Sequence, residues 1–498
     1  MKQHNRMMKY NRYFVAAMLG LLTLSWSGCE DSVVNLTPQS ELTEANYFKQ
    51  ANQINDAVVG IYSHYQSKLP NDWHLKEFPT DHLHISTYRF ITGLNAVGEL
   101  AFEPSNPIFS SFWQNNYNGI YRANSVLANL DNPQDYQGSE KQQYEGEAKF
   151  MRALYYFDLV RAFGGVPEVT SKISVNESME IPRSSEEEIY SLIISDLEQA
   201  IELLPRPENT DLGRANKGAA AALLGKVYVY RENYSEALNY LESVADYGFQ
   251  LEENYADLFT IEGSGDNDEF IFQMNYIENI EGNPLSSDFV PYDGAAGITS
   301  SGGEVALLSW SVHKLFEEED SRKDVTVNEY WAHPSSPDQE EWYPFVGKYA
   351  VPHPPNSSGL DLPVLRYGDT VLLMAEANYF EGNITQALEN LNSIRERAFG
   401  DASHNYTLAD ISTEEQFMDK LMLERQLELA FENQRWFDLV RTGRFMEALQ
   451  EHERNYNPET GQATTVTYDV QPHQARFPIP QHEINQANPG VLEQNEGY

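Results

Sequence analysis

Apolar residues recur at intervals of three and four over most of the chain, which predicts a mainly α protein. The pattern is sharpest from Glu424 to Gly443, where Leu427, Ala430, Phe431, Phe437 and Val440 fall at helical spacings around a break near Asn433. A helix, a corner and a second helix follow. The end of that stretch has an echo in Phe157-Asp-Leu-Val-Arg161, so the frame twice uses a buried aromatic beside a charged Asp and Arg. Further helices are predicted from about Glu44 to Tyr65 behind the capping-type Thr43, from Phe112 to Leu130, and from Lys141 to Phe163. Gly164-Gly165-Val166-Pro167 stops the last of these, and Ser184-Ser-Glu-Glu-Glu188 opens another that runs to about Leu204.

Two helix pairs are predicted, at 215–245 and 367–398. In the first, Leu224-Gly225-Lys-Val-Tyr228 followed by Tyr234, Ala237 and Leu241 resembles the tetratricopeptide signature, in which small residues let antiparallel helices approach closely. Ala375, Ala377, Tyr379, Ala387 and Leu391 repeat the theme in the second. About 120 residues separate the pairs, from Gly248 to Arg366.

The helical period is lost in 68–107 and 266–363. The first segment is dense in Trp, His, Tyr, Asn and Gly and is expected to form long functional loops. In the second, Phe270 to Tyr276 alternates like a strand and Leu285 to Gly303 is rich in Gly, Ser and Pro. A short helix is expected at Trp310 to Phe316 and a strand at Val325 to Val327, with Tyr330-Trp331 and Trp342-Tyr343 in polar loops. A helical scaffold over 44–66, 112–247 and 364–450 thus carries a loop-rich region; the length alone would allow about three domains, but no stretch looks like an interdomain linker.

Residues 1–28 have another character. Lys2, Arg6, Lys9 and Arg12 precede an apolar run from Phe14 to Leu24, with no acidic residue, which predicts a secretory signal peptide. Ser27-Gly28-Cys29 follows, and Cys29 is the sole cysteine. Small residues before a lone Cys resemble a bacterial lipobox, with Trp26 where an aliphatic residue is usual. Cys29 is therefore the expected lipidation site and the only membrane attachment, since no other run is long and apolar enough to span a bilayer. Residues 30–43 form a tether that begins with Glu30-Asp31, which resembles an acidic surface-export signal. The formal charge of -41 repels phosphate backbones and excludes nucleic acid as a partner.

Several segments, in order along the chain, resemble the SusD/RagB family of outer-membrane nutrient-binding lipoproteins. They are Glu147 to Pro167, Gly213-Arg-Ala215, Leu365 to Ala377, the stretch at 424–443, Phe477-Pro-Ile-Pro480 and Gln494 to Tyr498. The resemblance implies a single domain over residues 29–498, of tetratricopeptide-type helix pairs that carry a ligand-binding region with short strands. It also implies a non-catalytic, lipid-anchored protein of the cell outer membrane, facing the exterior. Such proteins capture oligosaccharides and deliver them to a SusC-like TonB-dependent transporter. The alternative is the same architecture delivering peptides, or serving mainly as a transporter lid with little glycan affinity. No cofactor is implied.

Carbohydrate recognition requires flat apolar faces for pyranose C–H groups and polar groups for the hydroxyls. Trp113 and Trp436 lie on helical core faces, and Trp310 heads a helix that leads to Leu315-Phe316 and is also assigned to the core. Trp73, Trp331 and Trp342 stand among polar residues and are the first candidates for ligand binding, followed by Tyr88, Tyr276, Tyr330 and Tyr343. His82 and His84 share one side of an extended segment but lack a third ligand, so hydrogen bonding is preferred to a metal. Glu424, Glu428 and Glu432 share a helix face and are expected to form scaffold ion pairs with the interleaved Arg425 and Arg435, not a catalytic pair. The acidic run Glu317 to Asp320, with Asp324, has the chemistry to bind calcium but is read first as a solvated helix end.

Overall fold

The structure, a computed structural model, describes residues 47–498 except Thr87, Arg89 and Phe90. The signal peptide, Cys29, Glu30-Asp31, the tether and the Thr43 cap lie outside the described residues.

Among the described residues ten helices make the frame: α1 (Ala51–Lys68), α2 (Pro107–Asn129), α3 (Glu140–Phe163), α4 (Glu186–Leu203), α5 (Lys217–Tyr230), α6 (Tyr234–Ser243), α7 (Tyr367–Phe380), α8 (Ile384–Phe399), α9 (Glu414–Glu428) and α10 (Arg435–Arg441). Shorter helices stay unlabelled. α3 is the central post, packed against α1, α2 and α4 and buried on every side from Ala153 to Phe163. Its charged residues are buried in pairs, as with the fork of Arg152 on Asp196 at 2.7 and 2.8 Å. Gly164, at φ +76°, ends α3 where the sequence places the stop. At the start of α4, Ser185 N donates to Glu188 Oε2 at 2.8 Å while Ser185 Oγ accepts from Glu188 N, a closed capping box.

The two predicted pairs are α5/α6 and α7/α8, and they are neighbours in space, with α6 against α7. A Cβ built on Gly225 would lie 2.6 Å from Leu241 Cγ, so the α5–α6 approach needs glycine there. Gly225→Ala is expected to cost about 1–3 kcal/mol, measured by urea unfolding.

Among the described residues eight strands form four two-stranded antiparallel sheets: β1 (Leu83–Ile85) with β3 (Ala306–Leu308), β2 (Phe270–Met274) with β6 (Leu362–Arg366), β4 (Val327–Ala332) with β5 (Glu340–Val346), and β7 (Glu451–Asn457) with β8 (Gln462–Thr467). The β2–β6 pairing joins the two ends of the second irregular segment, with Phe270 opposite Arg366 and Met274 opposite Leu362. That juncture brings α5/α6 and α7/α8 together across their long separation in sequence.

Several sequence expectations change, and the first is that α1 begins at Ala51, capped by Gln50, rather than near Glu44. Residues 322–326 are helical, and the strand begins at Val327 rather than Val325. The Tyr330-Trp331 and Trp342-Tyr343 pairs stand on the β4–β5 hairpin, not in loops. Much of 68–107 is folded into the core as short helices, with Leu69, Trp73, Leu75 and Phe78 buried.

The stretch at 424–443 has the expected shape: α9 ends at Glu428, Phe431 and Asn433 take positive φ, and α10 starts at Arg435. Its ion pairs are rewired. Glu424 meets Arg322 and Arg395, Glu428 meets Arg366 and Arg397, and Glu432 meets Arg366 and Lys348. Arg425 instead reaches Asp438 and Asp369, and Arg435 forks onto Asp81. Successive helix residues point about 100° apart, so Arg425 cannot share the face of Glu424. The acidic stripe serves to seat the irregular segment on the scaffold, because Arg322, Lys348 and Arg366 all come from it or its end.

Candidate functional site

The β4–β5 hairpin carries aromatic side chains on both faces. Its register sets Tyr330 opposite Trp342 and Trp331 opposite Glu341; since neighbours along a strand alternate, Tyr330 and Trp342 face one way, Trp331 and Tyr343 the other.

On the Trp331/Tyr343 face, Trp331 Nε1 donates to Gly294 O at 2.6 Å and Tyr343 Oη donates to Glu304 Oε1 at 2.8 Å. Glu304 is 3% exposed and sits at φ +40°. Its carboxylate also accepts from Ser86 Oγ at 2.9 Å and from Tyr292 N at 2.9 Å. Three separate pieces of chain are thereby tied to one acidic group, which satisfies its buried charge with donors. Burial and then the adjoining Glu304 raise the Tyr343 pKa well above the ordinary phenol range, so this hydroxyl stays a donor.

Above this knot two tyrosines are displayed. Tyr88 is 66% exposed and Tyr292 50% exposed, with rings 5.9 Å apart and 13° from parallel. They border an open cleft of about 710 Å³ that also includes Asp293, Ser300, Ser301, Gly302, His333 and Ser335. Large solvent-facing rings held by a rigid base beside hydroxyl, imidazole and carboxylate groups suit a ligand with apolar faces and a polar rim.

On the other face Tyr330 is 56% exposed, its ring edge-on to Trp342 at 5.6 Å. Trp310, expected in the core, is half-buried here and sandwiched between Tyr456 at 3.9 Å and His313 at 4.4 Å. Both its ring faces are covered, so this pile fastens β7 to β4–β5.

Two candidates are withdrawn into the interior. Trp73 is 1% exposed and packs on Phe78 and Phe289. Its polar neighbours are buried as well: Lys68 and Lys76 each bind both Asp72 and Asp158 at 2.8–3.0 Å. Tyr276 is buried, with Oη donating to Gln66 O at 2.8 Å. Neither ring has a face for a ligand. His82 and His84 also part company, His82 Nδ1 lying 3.0 Å from Glu77 Oε2 and His84 Nε2 lying 2.9 Å from Asn455 Oδ1.

Sequence reasoning missed Tyr292, Asp293, Glu304 and His333. Tyr292 stands in the Gly/Ser/Pro-rich run, where the criterion that selected Trp331 would have found it. Glu304 gives no signal without the fold.

A tetratricopeptide-type helical frame with a clamped aromatic insertion defines a scaffolded binding protein. Residues 313–498 match the SusD family, and residues 34–229 match a SusD-like family described as starch-binding and associating with the outer membrane. SusD-like protein P2 of Formosa agariphila is 28% identical over 472 residues, covering 87% of this chain and 91% of that protein. A SusD-like protein of Bacteroides ovatus is 25% identical, covering 86% of this chain and 82% of its own. Among solved structures, a laminarin-binding SusD-like protein superposes with a TM-score of 0.74 at 25% identity, covering 90% of this chain and 100% of that one. The chain belongs to the SusD-like family.

Proposed function

We propose that this protein is a non-catalytic glycan-binding lipoprotein of the outer membrane. It captures oligosaccharide or polysaccharide at the Tyr88/Tyr292 cleft and delivers it to a SusC-like TonB-dependent transporter, anchored through Cys29. The observation that carries the reading is the pair of exposed, near-parallel tyrosines fixed over a polar cleft by Glu304. The laminarin-binding relative and the starch-binding description of the matched family support the ligand class. No helix of the described residues is long and apolar enough to cross a membrane, which fits a lipid anchor. The carboxylates most easily mistaken for a catalytic pair, Glu424 and Glu428, are buried against arginines.

Isothermal titration of the purified protein against a panel of polysaccharides tests the reading, with at least one member expected to bind. Glu304→Ala is expected to weaken that binding about tenfold by releasing Tyr292 and Tyr343 together, a loss of about 1.4 kcal/mol. Copurification of the transporter with a protein that binds no glycan, alone or in the complex, would point instead to peptide delivery or a lid.

A further inference from the structure

We infer that the cleft takes electrically neutral glycans and rejects polyanionic ones, such as chains of uronic acids or sulfated sugars. This rests on the glycan-binding reading above and adds a ligand class to it.

Recognition of a carboxylate or sulfate normally needs an Arg or Lys free to pair with it. The segment 266–363 contains eighteen acidic and only four basic residues. All four basic side chains are already paired with carboxylates, Arg322 and Lys348 in the interior and Lys314 at the surface. Arg322 is held by Asp320 and Glu424, Lys348 by Glu432, Lys323 by Glu318 and Glu329, and Lys314 by Glu453. In 68–107 the described cations are Lys68 and Lys76, both buried on Asp72 and Asp158. None of the described residues that border the cleft is Lys or Arg, whereas Asp293 borders it and the Glu304 carboxylate lies directly beneath.

The surrounding field has the same sign. A formal charge of -41 opposes the approach of a polyanion at every distance within a Debye length, about 8 Å at physiological salt. A neutral sugar chain feels neither the field nor the missing cation, and the two tyrosine faces and the serine hydroxyls suffice for it. Arg89 adjoins Tyr88 in sequence but lies outside the described residues, so it belongs in the test.

Matched probes isolate charge from shape. Laminarin and amylopectin are titrated into the purified protein beside sulfated and carboxymethylated preparations of the same two polymers, at 50 and 500 mM NaCl. The neutral polymer that binds is expected to keep its affinity within twofold across that salt range. Its sulfated and carboxymethylated forms are expected to bind at least tenfold more weakly at 50 mM, with the gap narrowing at 500 mM. Asp293→Lys is expected to narrow it at low salt as well. An anionic form that binds as tightly as its parent, or tighter and with affinity falling as salt rises, overturns the inference while leaving the glycan-binding reading intact. Loss of that anionic binding in Arg89→Ala would identify the cation responsible. Absence of binding by every probe, together with a failed wider panel, would remove both.

Discussion

Alanine at both Tyr88 and Tyr292 is expected to lower glycan affinity about 100-fold, a loss of about 2.7 kcal/mol shared between two stacking surfaces. The substituted side chains are exposed, so the fold should hold and the melting temperature should move little. Two other aromatic substitutions give the contrast. Trp342→Ala, on the opposite face of the same hairpin, is expected to leave affinity within about twofold while loosening the junction with β7. Trp73→Ala is expected to cost about 3–5 kcal/mol of stability through the cavity left among Phe78 and Phe289. Titration calorimetry and urea unfolding on the three variants separate these outcomes. Binding that survives in the double tyrosine variant but disappears in Trp342→Ala would move the site to the other side of β4–β5.

That contrast also marks where the sequence could be trusted. The main helices, the corner near Asn433 and the tetratricopeptide-type pairs follow from apolar spacing and are seen, although α1 begins at Ala51 rather than near Glu44 and α2 at Pro107 rather than Phe112. Trp73 misleads because polar neighbours usually signal solvent, whereas here Lys68, Asp72 and Lys76 neutralise one another around Asp158 and are buried with it. The β4–β5 hairpin is hidden for a different reason. Adjacent aromatics at 330–331 and 342–343 make both faces of the strands apolar, so no alternation of period two survives to announce them. Glu304 acts through partners at Ser86, Tyr292 and Tyr343, and no local pattern could assemble them.

Arg366→Met is expected to be the most destabilising single change, at about 3–5 kcal/mol or more. Its guanidinium bridges Glu269, Glu428 and Glu432 at 2.6–2.8 Å, and removal strands three buried carboxylates beside Arg397 and Lys348. Denaturant unfolding followed by circular dichroism would show it, and a change below about 1 kcal/mol would mean that the network relaxes without cost. The same network sets an acid limit. Burial alone would raise the Glu428 pKa, but Arg397, Arg366 and Arg322 outweigh it and hold the carboxyl well below the usual range. The unfolded chain therefore takes up protons first as pH falls. The contribution of Glu428 should be constant above about pH 5, where a free Glu is ionised, and should be lost steadily below about pH 4. That loss comes on top of a decline that starts near about pH 6.5 as the unfolded chain protonates His74 and His84, which burial holds at about 4 in the fold.

The β2–β6 pairing has an evolutionary corollary. Because the strand entering the insertion lies beside the strand leaving it, both covalent connections between the frame and the chain from Met274 to Leu362 are made at one place. Closing a longer or shorter loop on such a stem changes chain entropy only slowly with length. The segment can thus be exchanged between relatives like a cassette, provided that Arg322 and Lys348 travel with it to meet Glu424 and Glu432. Chimaeras that respect those sockets should fold.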